Sequence, residues 1–403
     1  MTSPTAAEVD TGVRRDRWVT LGALLLVALN LRIAITSVSP VLAELRDDLG
    51  LSRGAAGLLT TLPVVCFGLV APLAAALGRR LGNERALGWA LVALVVGILV
   101  RSAGDVPTLF AGTVLLGSAI ALGNVLVPAL VKQDLSEVSG PAMSLYTVCL
   151  TGGAAIAAGG AAALASMGWT WRAALAAAAL PALLAVVAFT LWAWRRVRSS
   201  RGTTTAPALL GGQVAVVWRS RTAWQLALFL AAQSTLFYSV LAWLPLLLQE
   251  RGVSVGTSGL MLSTYNLLGI VGALAVPRLL RVGRDQRAVA TVTMAGWIVG
   301  LAGLWALPGW YPLWSALLGV VQGAGITVAL TLVVLRARDS QVARELSGMV
   351  QTTGYLMAAG GPALVGSLRD GFGGWGPSFV VMIMVGFLSV LAARGAGRGV
   401  VVG

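Results

Sequence analysis

Residues 18–42 read WVTLGALLLVALNLRIAITSVSPVL, and the fold turns on how this stretch is taken. The run behind Trp18 is longer than a signal-peptide core and no small-residue cleavage site follows it, so it is read as a helix that stays in the bilayer. Asn30 and Arg32 sit inside that run. An arginine at such depth costs at least ~2.5–3.5 kcal/mol on insertion scales, so it is expected to face a polar interior or to pair internally.

Working outward, the rest of the chain repeats the pattern. Of 403 residues, 57% are hydrophobic and 11% charged, against about 25% charged in a soluble domain. The mean hydropathy is +0.86. Twelve stretches are long and apolar enough to span: 18–42, 54–77, 85–102, 107–131, 140–166, 171–194, 222–248, 256–280, 287–307, 311–335, 344–368 and 375–396. The expected fold class is therefore an all-α membrane protein of twelve transmembrane helices.

The net charge of +14 invites a nucleic-acid reading, but the cations fall in short clusters between apolar runs, so nucleic acid is not expected as a partner. With the N-terminus placed in the cytoplasm, 22 Lys and Arg fall on the cytoplasmic side and six on the other, with Arg32 inside a helix. This predicts an inner or plasma membrane protein, multi-pass, with both termini cytoplasmic. Cys66 and Cys149 lie in apolar runs and the chain has no histidine. Free thiols, no metal and no cofactor are expected.

The two halves resemble each other at an offset near 202 residues. Ser52 and Gly57 recur as Ser254 and Gly259; PLAAALGRRLGNERA (72–86) recurs as PRLLRVGRDQRA (277–288); Leu116-Gly117 recurs as Leu318-Gly319. Glycines at 152, 153, 159 and 160, and Gly360-Gly361-Pro362, mark tight or bent crossings in corresponding places. The division expected is a cytoplasmic segment 1–17, a six-helix bundle 18–196, a basic Gly/Thr/Pro-rich linker 197–220 with an interfacial helix over 208–218, a second bundle 221–397 and a tail 398–403. Parallel repeats of this kind place a substrate path between the bundles near the midplane.

Arg32 is the strongest candidate there, as an anchor for an anionic or electronegative solute; snorkelling or bonding to helix carbonyls is the structural alternative. Asn30 and Thr36 neighbour it on the same helix. The other mid-helix polar residues are Asn124, Gln233, Tyr238, Tyr265, Asn266, Gln322, Gln351 and Tyr355. Each is either cavity lining or an interhelical hydrogen bond. All fifteen Asp and Glu fall at helix ends or in loops, which argues against export of cations on a buried carboxylate. Arg79, Arg80, Arg85, Arg281 and Arg287, in the two matching basic loops, set orientation or contact helix C-termini as gating residues. With no buried carboxylate pair and no sizeable loop, an enzyme is not expected.

The layout resembles the major facilitator superfamily. GRRLGNER (78–85) is similar to its loop 2–3 motif, with Gly78 where the usual Asp stands. NLRIAITSVSPVLAELRDDLGLS (30–52), GLLTTLPVVCFGLVAPLA (57–74), LFYSVLAWLPLLLQERGVS (236–254) and ALTLVVLRARDSQVARELSGMVQTTGYLMAAGGPALVG (329–366) resemble the cyanate/nitroimidazole (CynX/NimT-type) transporters. The resemblance implies two pseudo-symmetric six-helix bundles and a monomer in membrane lipid. It further implies alternating-access transport of a small polar solute that is cyanate-like or nitroimidazole-like. Efflux of neutral drug-like compounds is the alternative, and a non-transporting membrane solute sensor the weaker one.

Overall fold

The computed structural model describes residues 6–51, 53–199, 212–281 and 285–402. Sixteen α-helices follow one another among them: α1 (Ala6–Thr36), α2 (Leu42–Asp48), α3 (Arg53–Leu81), α4 (Asn83–Arg101), α5 (Val106–Asp134), α6 (Ser139–Ser166), α7 (Trp171–Ala176), α8 (Ala179–Ser199), α9 (Gly212–Arg219), α10 (Arg221–Glu250), α11 (Val255–Leu279), α12 (Arg287–Ala306), α13 (Tyr311–Arg336), α14 (Ser340–Ala359), α15 (Gly361–Phe372) and α16 (Gly376–Ala396). Ser52 and 208–211, on which a repeat match and part of the linker helix rest, lie outside the described residues. The rest of that helix is α9.

Among the described residues, eleven helices are long and apolar enough to cross a membrane, one fewer than the sequence count. The missing one is the segment 344–368, which is broken between α14 and α15 at Gly360. Pro362 has no N–H to give and its ring crowds the carbonyl of Ala358, so the helix restarts there. The Trp243 indole N–H donates to the Pro362 carbonyl at 2.8 Å. The first span likewise ends earlier than read, at Thr36, because Pro40 has no N–H to give the Thr36 carbonyl and its ring crowds that oxygen. Pro181 has the same effect at the turn between α7 and α8.

Apolar side chains collect into one cluster built mostly from residues 21–192 and a second built from 217–402. Leu69, Trp89, Val292 and Leu388 are among the many large apolar residues left on the outside, as lipid-facing positions must be when the solvent is hydrocarbon. The two sets of helices meet along α3 and α5 against α14, and along α6 against α11 and α13.

At the arginine-rich end the halves are tied by charge. The Arg79 Nη1 donates to both carboxylate oxygens of Glu345, at 2.8 and 2.7 Å, and Arg344 donates to Asn83 Oδ1 at 2.9 Å. Ser144 donates to the Ala273 carbonyl between α6 and α11. Gly78 permits this closure: a Cβ there would lie 2.5 Å from Arg344 Cδ and 2.9 Å from Leu126 Cδ2. The carboxylate that Arg79 meets comes from the other half of the chain, in Glu345. In the far halves of α6 and α11, a Cβ on Gly159, Gly160 or Gly259 would meet nothing within 4 Å.

Candidate functional site

Arg32 is held on α1 by its neighbour. Leu31 is buried against Gly123 of α5, so the next residue turns about 100° around the helix. The half-buried guanidinium points to the other half of the molecule. Tyr238 of α10, Tyr355 of α14 and Tyr146 of α6 act on it electrostatically, Tyr238 most strongly. No carboxylate acts on it among the described residues.

A hydrogen-bond network runs beside it. Tyr146 donates to Asn124 Oδ1 at 3.0 Å. The Gln351 amide donates to the Asn124 backbone carbonyl at 2.7 Å and to Ser347 Oγ at 2.8 Å. Phe67 meets the Tyr355 ring edge-on, with centroids 5.4 Å apart, and Phe237 packs edge-on against Tyr238 at 4.9 Å. Arg32, Asn124 and Tyr146 come from the first half of the chain, and Tyr238, Gln351 and Tyr355 from the second. The cation therefore sits on the seam, among phenol hydroxyls and amides that can rearrange around a guest but cannot neutralise it. Such a cation attracts an electron-rich group.

The structure brings together five of the residues singled out from sequence: Arg32, Asn124, Tyr238, Gln351 and Tyr355. The others are engaged elsewhere. Asn30 Nδ2 donates to the Leu26 carbonyl and Asn266 Nδ2 to the Leu262 carbonyl, each in its own helix. Thr36 Oγ1 donates to the carbonyls of Arg32 and Ala154. Gln233 lies inside the second half, accepting from the Trp297 indole at 2.8 Å and donating to the Gln322 carbonyl at 3.0 Å. The Gln322 amide lies against Gly269. Tyr265 is fully buried, stacked on Phe237 at 6.2 Å.

Tyr146 was not singled out from sequence. The chain has only five tyrosines, and their scarcity in a membrane chain was the available signal. Two further arginines, Arg101 and Arg336, are buried at helix ends. Arg101, 1% exposed, closes the end of α1 by donating to the Ala34 carbonyl at 2.5 Å. Arg336 donates to the Ala396 and Gly397 carbonyls at 3.1 and 3.0 Å. Of the candidate gating arginines, Arg79 makes the inter-half ion pair and Arg287 pairs with Asp285 at 2.9 Å. Arg80, Arg85 and Arg281 are exposed.

Comparison with known proteins is consistent across sequence and structure. The Major Facilitator Superfamily model matches residues 24–290. The chain is 40% identical to the "Uncharacterized transporter YycB" of Bacillus subtilis (strain 168), over 95% of this chain and 93% of that protein. It is 34% identical to the 2-nitroimidazole transporter of Escherichia coli (strain K12), over 95% and 96%. To the cyanate transport protein CynX of the same organism it is 32% identical, over 86% and 89%. Among solved structures, the proton:xylose symporter XylE superposes with a TM-score of 0.77 at 16% identity, covering 94% of this chain and 95% of that one. The human organic anion transporter MFSD10 superposes with 0.73 at 16%, covering 94% and 99%. At these identities the structures speak to the fold.

Proposed function

The chain belongs to the major facilitator superfamily, a family of transporters and not of enzymes, and from that premise we propose that it carries a small anionic or strongly electronegative solute by alternating access, with Arg32 as the anchor. The observation that carries this reading is the placement of Arg32 on one half facing Tyr238 and Tyr355 on the other, with no carboxylate acting on it among the described residues. The electron-rich end of the solute takes the place of the Tyr238 hydroxyl at the guanidinium, where charge-assisted hydrogen bonds are strongest. The tyrosines and Gln351 then close on the solute from the opposite half, so an occupied site bridges two bodies that must rock past each other.

Two relatives are named for 2-nitroimidazole and for cyanate, both small and electronegative. The ties at the arginine-rich end, Arg79 to Glu345 and Arg344 to Asn83, hold that side shut. Release on that side requires them to part. The excess of cations supports a cytoplasmic location for this end and for both termini, in the cell membrane.

A second reading has one observation in its favour: the Tyr238 and Tyr355 hydroxyls already act on the Arg32 guanidinium. Arg32 would then be structural and the solutes neutral, drug-like compounds. Flux into proteoliposomes decides between the two readings. Cyanate, nitrate, 2-nitroimidazole and an uncharged drug are compared on wild type and Arg32→Gln, with and without a pH gradient. The anchor reading requires flux of the electronegative solutes to collapse in the variant. Undiminished flux, or flux of the neutral drug alone, supports the second reading.

A further inference from the structure

A second basic site lies away from the seam, where α12 begins and α16 ends. Arg287, Arg394 and Arg398 ring an open cavity of about 470 Å³, completed by Ala288, Thr291 and Val292. Arg394 and Arg398 are exposed and form no ion pair among the described residues; Arg287 has Asp285 on one edge of its guanidinium. Three cations around a single carboxylate leave a strong excess of positive charge.

The walls are held in place by a buried device of their own. Arg336, 4% exposed, reaches from the end of α13 and donates to the carbonyls of Ala396 and Gly397 at 3.1 and 3.0 Å, and to Gln286 Oε1. The Gln286 backbone N–H donates to the Gly397 carbonyl at 3.1 Å. The two chains approach so closely that a Cβ on Gly397 would fall 2.5 Å from Arg287 Cα. The guanidinium groups thus stand on two helix ends that cannot drift apart.

The surface beside the ring is apolar. Val292, part of the cavity wall, is 70% exposed, and Leu388 and Leu391 on the packed neighbour α16 are each 64% exposed. Arg287 and Arg394 lie in the terminal turns of two spanning helices, which is the headgroup level. A charged ring that continues into a lipid-facing apolar lane fits an amphiphile with an anionic head, and a soluble anion has no use for the lane.

We infer that this cavity is a binding site for an anionic phospholipid. The phosphodiester sits among Arg287, Arg394 and Arg398, with Thr291 as a hydroxyl donor, and an acyl chain lies along Val292, Leu388 and Leu391. Arginine forks match phosphate oxygens in pairs, which favours a tight rather than diffuse contact.

The test is lipid binding to the purified full chain in detergent, read by native mass spectrometry and by thermal stabilisation. Phosphatidylglycerol, phosphatidylcholine and inorganic phosphate are titrated against wild type, R394Q/R398Q, R394K/R398K and Arg80→Gln, an exposed control in the other half. Wild type and Arg80→Gln should bind phosphatidylglycerol in preference to phosphatidylcholine. R394Q/R398Q should bind it about thirty-fold more weakly, from about 1 kcal/mol per cation near a lipid surface, and the lysine pair should recover part of the loss. Equal binding of the two lipids, undiminished binding by R394Q/R398Q, or full competition by inorganic phosphate would each overturn the inference. Should R394Q/R398Q not fold, the lipid preference and the phosphate competition on wild type decide alone.

Discussion

The two halves of this chain are the same frame filled differently. Contacts recur 202 residues apart: Leu31 lies on Gly123 as Gln233 lies on Gly325, and Pro63 faces Gly117 as Tyr265 faces Gly319. Arg101 crowds Gly112, whereas in the second half the glycine is Gly303 and the bulk is Trp314, so knob and hole have changed sides. Outside the bilayer, Asp48 accepts from the Trp171 indole and Arg172, and Glu250 accepts from the Trp375 indole and Arg369. What is not repeated is the charge at the seam. Arg32 has Ser234 as its counterpart, buried in the second half. The frame supplies two similar bodies; the difference between them places a cation on one and two of the phenols around it, Tyr238 and Tyr355, on the other.

The largest effect of breaking this comparison is expected at the α11–α13 crossing. A Cβ on Gly323 would run into the Gly269 carbonyl, and one on Gly272 into that of Val320. The equivalent first-half positions are Ala121, Phe67, Val70 and Ser118, so there the frame tolerates side chains. Backbone oxygen cannot step aside, so Gly323→Ala should cost about 3 kcal/mol, while Ala121→Gly should cost about 1 kcal/mol. Thermal unfolding in detergent reads both, and equal losses would mean that the two crossings are alike.

A smaller loss is expected from making the second half resemble the first with Gln233→Leu. It strands the buried Trp297 N–H, at a cost of about 2 kcal/mol. Transport rates should be unchanged at temperatures where the variant is folded, since Gln233 is away from the seam. A solute-specific loss of flux would return Gln233 to the binding site.

Smaller again is the clasp at the basic end. Glu345→Gln removes the charge that faces Arg79 and Arg344 but leaves an amide oxygen that still accepts, so the expected loss is about 1 kcal/mol. Ala75, buried beside Gly348, should be alkylated about five-fold faster as Ala75→Cys in that variant, with Cys66 and Cys149 replaced. No change in rate would show that the pair does not hold this side shut.

The smallest effect concerns Asp48. The Trp171 indole and then Arg172 hold its carboxyl below the usual range. Its stabilisation is therefore present above the unfolded value of about 4 and is lost as pH falls through the lower folded value. Melting temperature should drop on acidification more steeply in wild type than in Asp48→Asn; parallel curves would contradict this.

The spans and the two-fold frame were legible because lipid demands apolar length and the positive-inside bias records each turn of the chain. Arg32 was legible as a candidate because a cation in an apolar run needs a polar interior or an internal partner. The polar set around it was only half legible. Period alone cannot tell Gln351, which reaches across the seam, from Asn30 and Asn266, whose amides fold back on their own helices. Glu345 looked like an ordinary helix-end acid; its burial against Arg79 depends on two residues 266 positions apart. The break at Gly360 was marked by Pro362, but glycine and proline are common enough in membrane helices that the mark alone did not show a divided helix.

The central claim is that the unmatched cation is the solute's anchor. Thermal stabilisation of the purified protein by cyanate, nitrate and 2-nitroimidazole, compared between wild type, Arg32→Lys and Arg32→Gln, tests it most directly. The account predicts saturable stabilisation of wild type, with affinity falling about 10- to 100-fold in Arg32→Gln, the range expected for losing a charge-assisted hydrogen bond, and partial retention in Arg32→Lys. Equal stabilisation of wild type and Arg32→Gln by all three solutes would contradict it.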